Sequence, residues 1–133
     1  MQTFLPYSDF DKSARVLDYR RLGKQRVEAK QILNTLEGTS NGWANHPAVL
    51  MWKGYEDALR IYFNVISEEW QRRGYKHNMG YFATGKAEMP WWLGNEAFHL
   101  SHQSNLVRKD PTFYGRLFPG VGPDLEYVLP VRR

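Results

Sequence analysis

The chain has 133 residues, of which 42% are hydrophobic and 24% charged; this predicts a single globular domain and excludes both a disordered chain and two separately cored domains. With no cysteine, disulfides, thiolate metal sites and a cysteine nucleophile are excluded as well. The net charge of +4 is gathered in one place, because Lys12, Arg15, Arg20, Arg21, Lys24, Arg26 and Lys30 face only Asp18 and Glu28 between positions 12 and 30.

The first predicted element is a helix from Asp11 to Glu37, with Asp11 as N-cap and Gly38 as stop. Leu22, Ala29, Leu33 and Leu36 share one face of it, so it lies on a core. Gly23 inside this helix implies a kink or a close backbone approach, since glycine there costs up to about 1 kcal/mol relative to alanine. A second helix starts at Pro47, capped by His46 or Asn45, and ends at Gly74 after Arg72 and Arg73. Within it Tyr55, Ala58, Leu59, Tyr62, Phe63, Ile66 and Trp70 keep i, i+3, i+4, i+7 spacing. Residues 74–90 read as a long loop. A third helix spans Asn95 to Lys109, and Asp110-Pro111 opens a short helical turn through Phe118. The tail from Pro119 carries proline and glycine at close intervals and is expected to be extended. Strand signals are weak throughout, so the expected fold class is all-α: one compact domain over residues 1–133, with three main helices, a short C-terminal helical turn and an extended tail. The opening MQTFLPYSDFDK lacks the basic and then apolar pattern of a signal peptide, and no run approaches the roughly 18 apolar residues of a membrane span. A soluble, cytoplasmic protein with no membrane partner is expected.

Several residue groups point to chemistry. A basic segment on a nearly neutral body has the form of a phosphate footprint, with Arg20, Lys24 and Arg26 as its contacts; the competing reading is a solvated, charge-decorated helix. At 100° per residue Asp18, Arg21, Gln25 and Glu28 fall within about an 80° stripe bordering the apolar face. Carboxylates bracketing an arginine on a pocket wall suit acid–base or cation-stabilising work, whereas a salt-bridge ladder would use the same spacings. His46, ahead of Pro47, sits where free backbone N–H groups hold an anion, or simply caps its helix. His99 and His102 lie at i, i+3; without cysteine they are a poor metal pair, and they read as lining a cleft or as packing. Trp91-Trp92, Arg108-Lys109, Phe113-Tyr114 and Arg116 interleave rings with cations, as base stacking and phosphate contact require. No metal and no cofactor are expected.

Asp18-Tyr19-Arg20-Arg21-Leu22 resembles the (Glu/Asp)-Tyr-Arg-x-Leu segment of the pyrimidine-dimer DNA glycosylases of the bacteriophage endonuclease V type. His46 ahead of a long amphipathic helix closed by Arg73-Gly74-Tyr75 is similar to that family's middle helix. Pro111-Thr112-Phe113-Tyr114 with Leu117-Phe118 resembles its C-terminal signature. The resemblance implies an all-α enzyme that binds double-stranded DNA, flips a nucleotide and cuts a glycosidic bond. It also implies a Schiff base formed by the N-terminal α-amine, followed by lyase cleavage of the strand. An α-amine titrates near 8, well below the roughly 10.4 of lysine, and is the better nucleophile at neutral pH. Two positions depart from the family. Its catalytic glutamate falls on Arg21, so Glu28 or Asp18 is the expected replacement; and the bulky Gln2 is expected to keep Met1 in place, making Met1 the amine donor. The expected catalytic set is Met1, Glu28, Asp18 and Arg21. The expected DNA contacts are Arg20, Lys24, Gln25, Arg26, His46, His102, Arg108, Lys109 and Tyr114. Two other readings stay open: a helical DNA-binding module of the same fold without the chemistry, and a small-nucleotide enzyme centred on His99 and His102.

Overall fold

The computed structural model describes residues 2–39, 42 and 44–130, and among these it contains six helices and no strand. They are α1 (Phe10–Val16), α2 (Tyr19–Leu36), α3 (Pro47–Leu50), α4 (Glu56–Arg72), α5 (Glu96–Lys109) and α6 (Pro111–Leu117). The all-α class and the three long helices follow the sequence reading. Two helix boundaries do not.

The helix expected over Asp11–Glu37 is two helices. Asp9, not Asp11, caps α1 by accepting from the Lys12 backbone N–H. The chain then turns extended at Leu17 (ψ 137°) and Asp18 (ψ 160°), and Asp18 caps α2. Tertiary bonds hold the break open. The Tyr114 hydroxyl accepts the Asp18 backbone N–H at 2.9 Å, the donor that a continuous helix would spend on Ala14. Arg73 Nη2 in turn donates to the Ala14 and Arg15 carbonyls at 3.2 and 3.1 Å. The second expected helix is also divided. Pro47 opens only the one-turn α3, Gly54 (φ +89°) reverses the chain, and α4 begins at Glu56 with Glu56 and Asp57 in its first turn.

Helix α4 is the central element, packed against both α1 and α2. Leu22, Ala29, Ile32 and Leu33 of α2 meet Leu59, Tyr62, Phe63 and Ile66 of α4 in one core with Trp52, Trp92, Phe98 and Leu106. Each of these larger side chains contributes about 1.5–3 kcal/mol on burial. Gly23 makes room on α2 for the Trp70 indole of α4. A Cβ there would lie 2.9 Å from Trp70 Cη2 and Cζ3, so what approaches Gly23 is the Trp70 side chain and not a second backbone.

The segment before α1 runs extended through the middle of the helices with no partner strand. Side chains satisfy its backbone instead. Gln25 Oε1 accepts from Phe4 N at 2.9 Å and Gln25 Nε2 donates to Gln2 O at 2.7 Å. His102 Nδ1 accepts from Leu5 N at 2.9 Å, His99 Nδ1 donates to Leu5 O at 2.8 Å, and Gln103 Nε2 donates to Pro6 O at 2.8 Å. Trp52 Nε1 donates to Thr3 Oγ1 at 3.0 Å, and Ser13 Oγ exchanges hydrogen bonds with both the N–H and the carbonyl of Tyr7. This arm explains the burial of Thr3, Ser13, Gln25, His99 and His102 in an otherwise apolar core.

Candidate active site

A cleft of about 910 Å³ opens along the start of α2. One wall is Asp18, Arg21, Lys24, Gln25 and Glu28; the arm contributes Gln2 and Phe4; the α3 cap contributes His46 and Pro47; and Lys109, Tyr127 and Leu129 close the far side. The polar stripe read on the first helix is therefore one wall of this cleft.

The two candidate carboxylates differ in what they hold. Asp18 is committed to structure: Oδ2 accepts from Arg21 N at 3.3 Å, and Oδ1 accepts from Arg21 Nη1 at 3.1 Å and from the Tyr114 hydroxyl. Burial alone would raise its pKa, but the Tyr114 hydroxyl and then Arg21 outweigh burial and hold it below the usual value. Glu28 faces the chain start. Its Oε2 accepts from Gln2 N at 3.1 Å and from Gln25 Nε2 at 3.2 Å, while Oε1 accepts nothing among the described residues. Gln25 is fully buried and satisfied on every side, taking Phe4 N–H and the Tyr62 hydroxyl on Oε1. It fixes both the arm and Glu28 and offers no surface to DNA.

Arg20, Lys24 and Lys109 are exposed at the cleft rim, with Arg21 half-buried inside. Arg26 behaves differently from its neighbours. Its guanidinium lies 4.5 Å from the Trp70 ring centroid, and Nη1 donates to His77 Nδ1 at 2.8 Å. Arg108 reaches the Pro123 carbonyl at 3.2 Å and fastens the C-terminal tail. His46 is the cap of α3, its Nδ1 accepting from Ala48 N at 3.0 Å, and burial lowers its pKa.

Two residues expected at the DNA surface lie inside the protein. Tyr114 is fully buried and positions Asp18, and its phenol is pushed up by burial first. His102 is fully buried with its ring 4.4 Å from Phe98 and 5.3 Å from Tyr127, and burial pushes its pKa down to about 3. Its Nδ1 takes the Leu5 N–H, so the proton sits on Nε2, which has no hydrogen-bond partner among the described residues. His99 spends both nitrogens on backbone: Nε2 accepts from Gly94 N at 2.9 Å, which leaves Nδ1 to donate to Leu5 O. His102 is enclosed in the core, whereas His99 lies at the edge of a second cleft of about 640 Å³ with Pro6, Leu100 and Gln103, so the two do not face one cleft together. Among the described residues, no group of three histidine, aspartate or glutamate side chains is placed to hold a metal ion, and no helix is long and apolar enough to cross a membrane. Met1 lies outside the described residues.

Sequence reasoning missed Gln2, Tyr127 and Leu129. Tyr127 is half-buried, and its hydroxyl is free of partners among the described residues. Burial pushes its pKa up to about 12, against the opposing pull of Arg108 and Arg21. The signal for the far wall was on α5, where Ser101, Ser104 and Asn105 interrupt the apolar pattern. Ser104 Oγ donates to Gly122 O at 2.6 Å and accepts from Leu125 N at 3.0 Å, and Ser101 Oγ accepts from Val128 N at 3.1 Å. These bonds lay the tail beside the cleft.

A family model described as pyrimidine dimer DNA glycosylase matches residues 1–82. That span holds the arm, α1 to α4 and the whole Asp18–Glu28 wall. No curated protein matches the chain, and no solved structure does.

Proposed function

Because the chain belongs to the pyrimidine dimer DNA glycosylase family, we propose that it is a base-excision enzyme that binds duplex DNA across the cleft, draws a damaged or modified pyrimidine nucleotide into it and cuts the glycosidic bond. The observation that carries this reading is the bond from Gln2 N to Glu28 Oε2 in a cleft rimmed by Arg20, Lys24 and Lys109. Gln2 adjoins Met1 in sequence, and its bond to Glu28 supports the reading that the proposed amine works beside this carboxylate and the cationic side chains.

The roles follow from that arrangement. Arg20, Lys24 and Lys109 hold phosphates. Glu28 stabilises positive charge as it develops on the sugar, with Oε1 free to face it. Arg21, paired to Asp18, lies deeper and suits a phosphate next to the extruded nucleotide. The Met1 α-amine attacks C1′, forming a C–N bond as the glycosidic bond breaks, and the electron pair of that bond leaves with the base, which takes up a proton. Loss of a proton from the amine and opening of the sugar give the Schiff base. Removal of a C2′ proton then expels the 3′ phosphate, which is the lyase step.

Borohydride trapping on duplexes bearing a cyclobutane dimer, an abasic site or a modified pyrimidine tests this reading. Trapping on the N-terminal peptide, blocked by acetylating the N-terminus, is expected. Glu28→Gln is expected to abolish turnover while DNA affinity stays within a few-fold. Survival of turnover in Glu28→Gln with its loss in Asp18→Asn would transfer the role to Asp18. Absence of both trapping and cleavage on every substrate sinks the enzymatic reading and leaves a DNA-binding module.

A further inference from the structure

Three aromatic side chains stack in succession at the end of the cleft that Tyr19 and Arg20 line. Trp70 and Tyr75 have ring centroids 4.3 Å apart and planes 23° apart; Tyr75 and Tyr19 have centroids 6.2 Å apart, also at 23°. The stack is built and held. Gly74 (φ +93°) turns the chain after α4 so that Tyr75 folds back over Trp70, with Tyr75 N donating to Trp70 O at 3.3 Å. Trp70 Nε1 donates to Lys76 O at 2.9 Å, and Gly23 gives the indole room against α2.

Yet the stack is left in water at its outer end. Tyr19 is 50% exposed and Tyr75 40% exposed. Near-parallel rings held at an exposed edge present a flat π-face with few hydrogen-bonding groups. A cation stands at each end of the stack, and the one at the exposed face is Arg20. Arg26 lies over Trp70, and Arg20 Nε donates to the Tyr19 hydroxyl at 3.1 Å with its guanidinium 5.7 Å from the ring centroid. A ring face with a cation at its edge fits a nucleobase and the phosphate beside it.

We propose that Tyr19, Tyr75 and Trp70 form a stacking platform at the mouth of the cleft that takes one unpaired DNA base. The proposal rests on the reading of the cleft as a DNA site and adds a subsite to it. Tyr19 lines the cleft and also ends the stack, so a base leaving the duplex next to Glu28's cleft meets the platform at once. Stacking reads no base edge, so the subsite accepts any of the four bases. Arg20 fixes the backbone on the same side.

An undamaged duplex carrying a single unpaired 2-aminopurine tests the platform without any chemistry. The full chain is expected to bind it about tenfold more tightly than the matched parent duplex, a stacking contribution of ordinary size. Binding is expected to quench the 2-aminopurine fluorescence. Tyr19→Leu and Tyr75→Leu keep apolar bulk but lose the π-face, and are expected to abolish the preference and the quench. Tyr19→Phe and Tyr75→Phe keep the face and are expected to retain both, which separates loss of stacking from loss of folding. Quenching that persists in the leucine variants, or equal weakening of bulged and matched duplexes, overturns the platform. Borohydride trapping and the Glu28→Gln result do not depend on this assay, so failure of the platform and failure of the enzymatic reading are distinguishable.

Discussion

Asp18 and Glu28 carry the same charge on one wall, but their partners separate their work. Asp18 caps the start of α2 and takes the Tyr114 hydroxyl from the opposite end of the chain, so Asp18→Ala removes a cap and strands a buried phenol. A loss of about 1–3 kcal/mol is expected by chemical denaturation, whereas Glu28→Gln is expected to stay within about 1 kcal/mol of the parent. Equal losses would mean that both carboxylates are structural. His102 makes a second residue-level case. Its folded pKa, pushed down to about 3 by burial and then by neighbouring His99, lies below the roughly 6.5 of an unfolded histidine. The unfolded state therefore binds more protons, so the stability that neutral His102 provides is complete above about pH 6.5 and is lost progressively toward pH 3. Between pH 7 and pH 5 this one group costs about 2 kcal/mol. His102→Asn keeps an acceptor for Leu5 N–H but does not titrate, and urea titrations at the two pH values are expected to show that much less acid sensitivity. An unchanged difference would remove His102 from the acid response.

At the scale of elements, periodicity reported what local sequence controls. The apolar faces of α2 and α4 and the cap Asp110 were legible because each depends on residues within one or two turns. The break at Leu17–Asp18 was not, because its bonds come from Tyr114 and Arg73, which are distant in sequence. The arm was invisible for the same reason: an extended segment is normally recognised with its partner strand, and here the partners are Gln25, His99, His102 and Gln103 on two helices. Gly23 tests the packing directly. By helix propensity Gly23→Ala would gain about 1 kcal/mol. Its Cβ, however, would press on Trp70 at 2.9 Å, and relieving that contact costs about 1–3 kcal/mol. A lower melting temperature is expected, together with a shift in tryptophan fluorescence as the indole moves from Tyr75. A stabilised variant with unchanged fluorescence would show that Trp70 moves aside freely.

Over the whole molecule, charge and shape meet at one place. The basic segment of residues 12–30, the proposed phosphate footprint, was legible as a charge cluster from residue order alone, and the stripe of Arg21, Gln25 and Glu28 as a pocket wall because it lies on a single helix. The opposite wall needed the tail to return beside α5, so Tyr127 and Leu129 carried no local signal. The structure also divides the footprint, which a count of charges cannot do. Arg20 and Lys24 are exposed at the cleft, while Arg26 is engaged with Trp70 and His77. Each phosphate contact contributes about 0.9 to the slope of log K against log salt. The double variant Arg20→Ala, Lys24→Ala is therefore expected to lower that slope by about 2 on duplex DNA, and Lys109→Ala by about 1 more. Arg26→Ala is expected to leave the slope within about 0.3 of the parent, because its guanidinium serves the ring stack and not the backbone. The measurement is duplex affinity across a salt series for the four proteins. A slope that falls for Arg26→Ala and holds for Arg20→Ala, Lys24→Ala would move the DNA from the cleft to the His77 side of α2, and would separate it from Glu28.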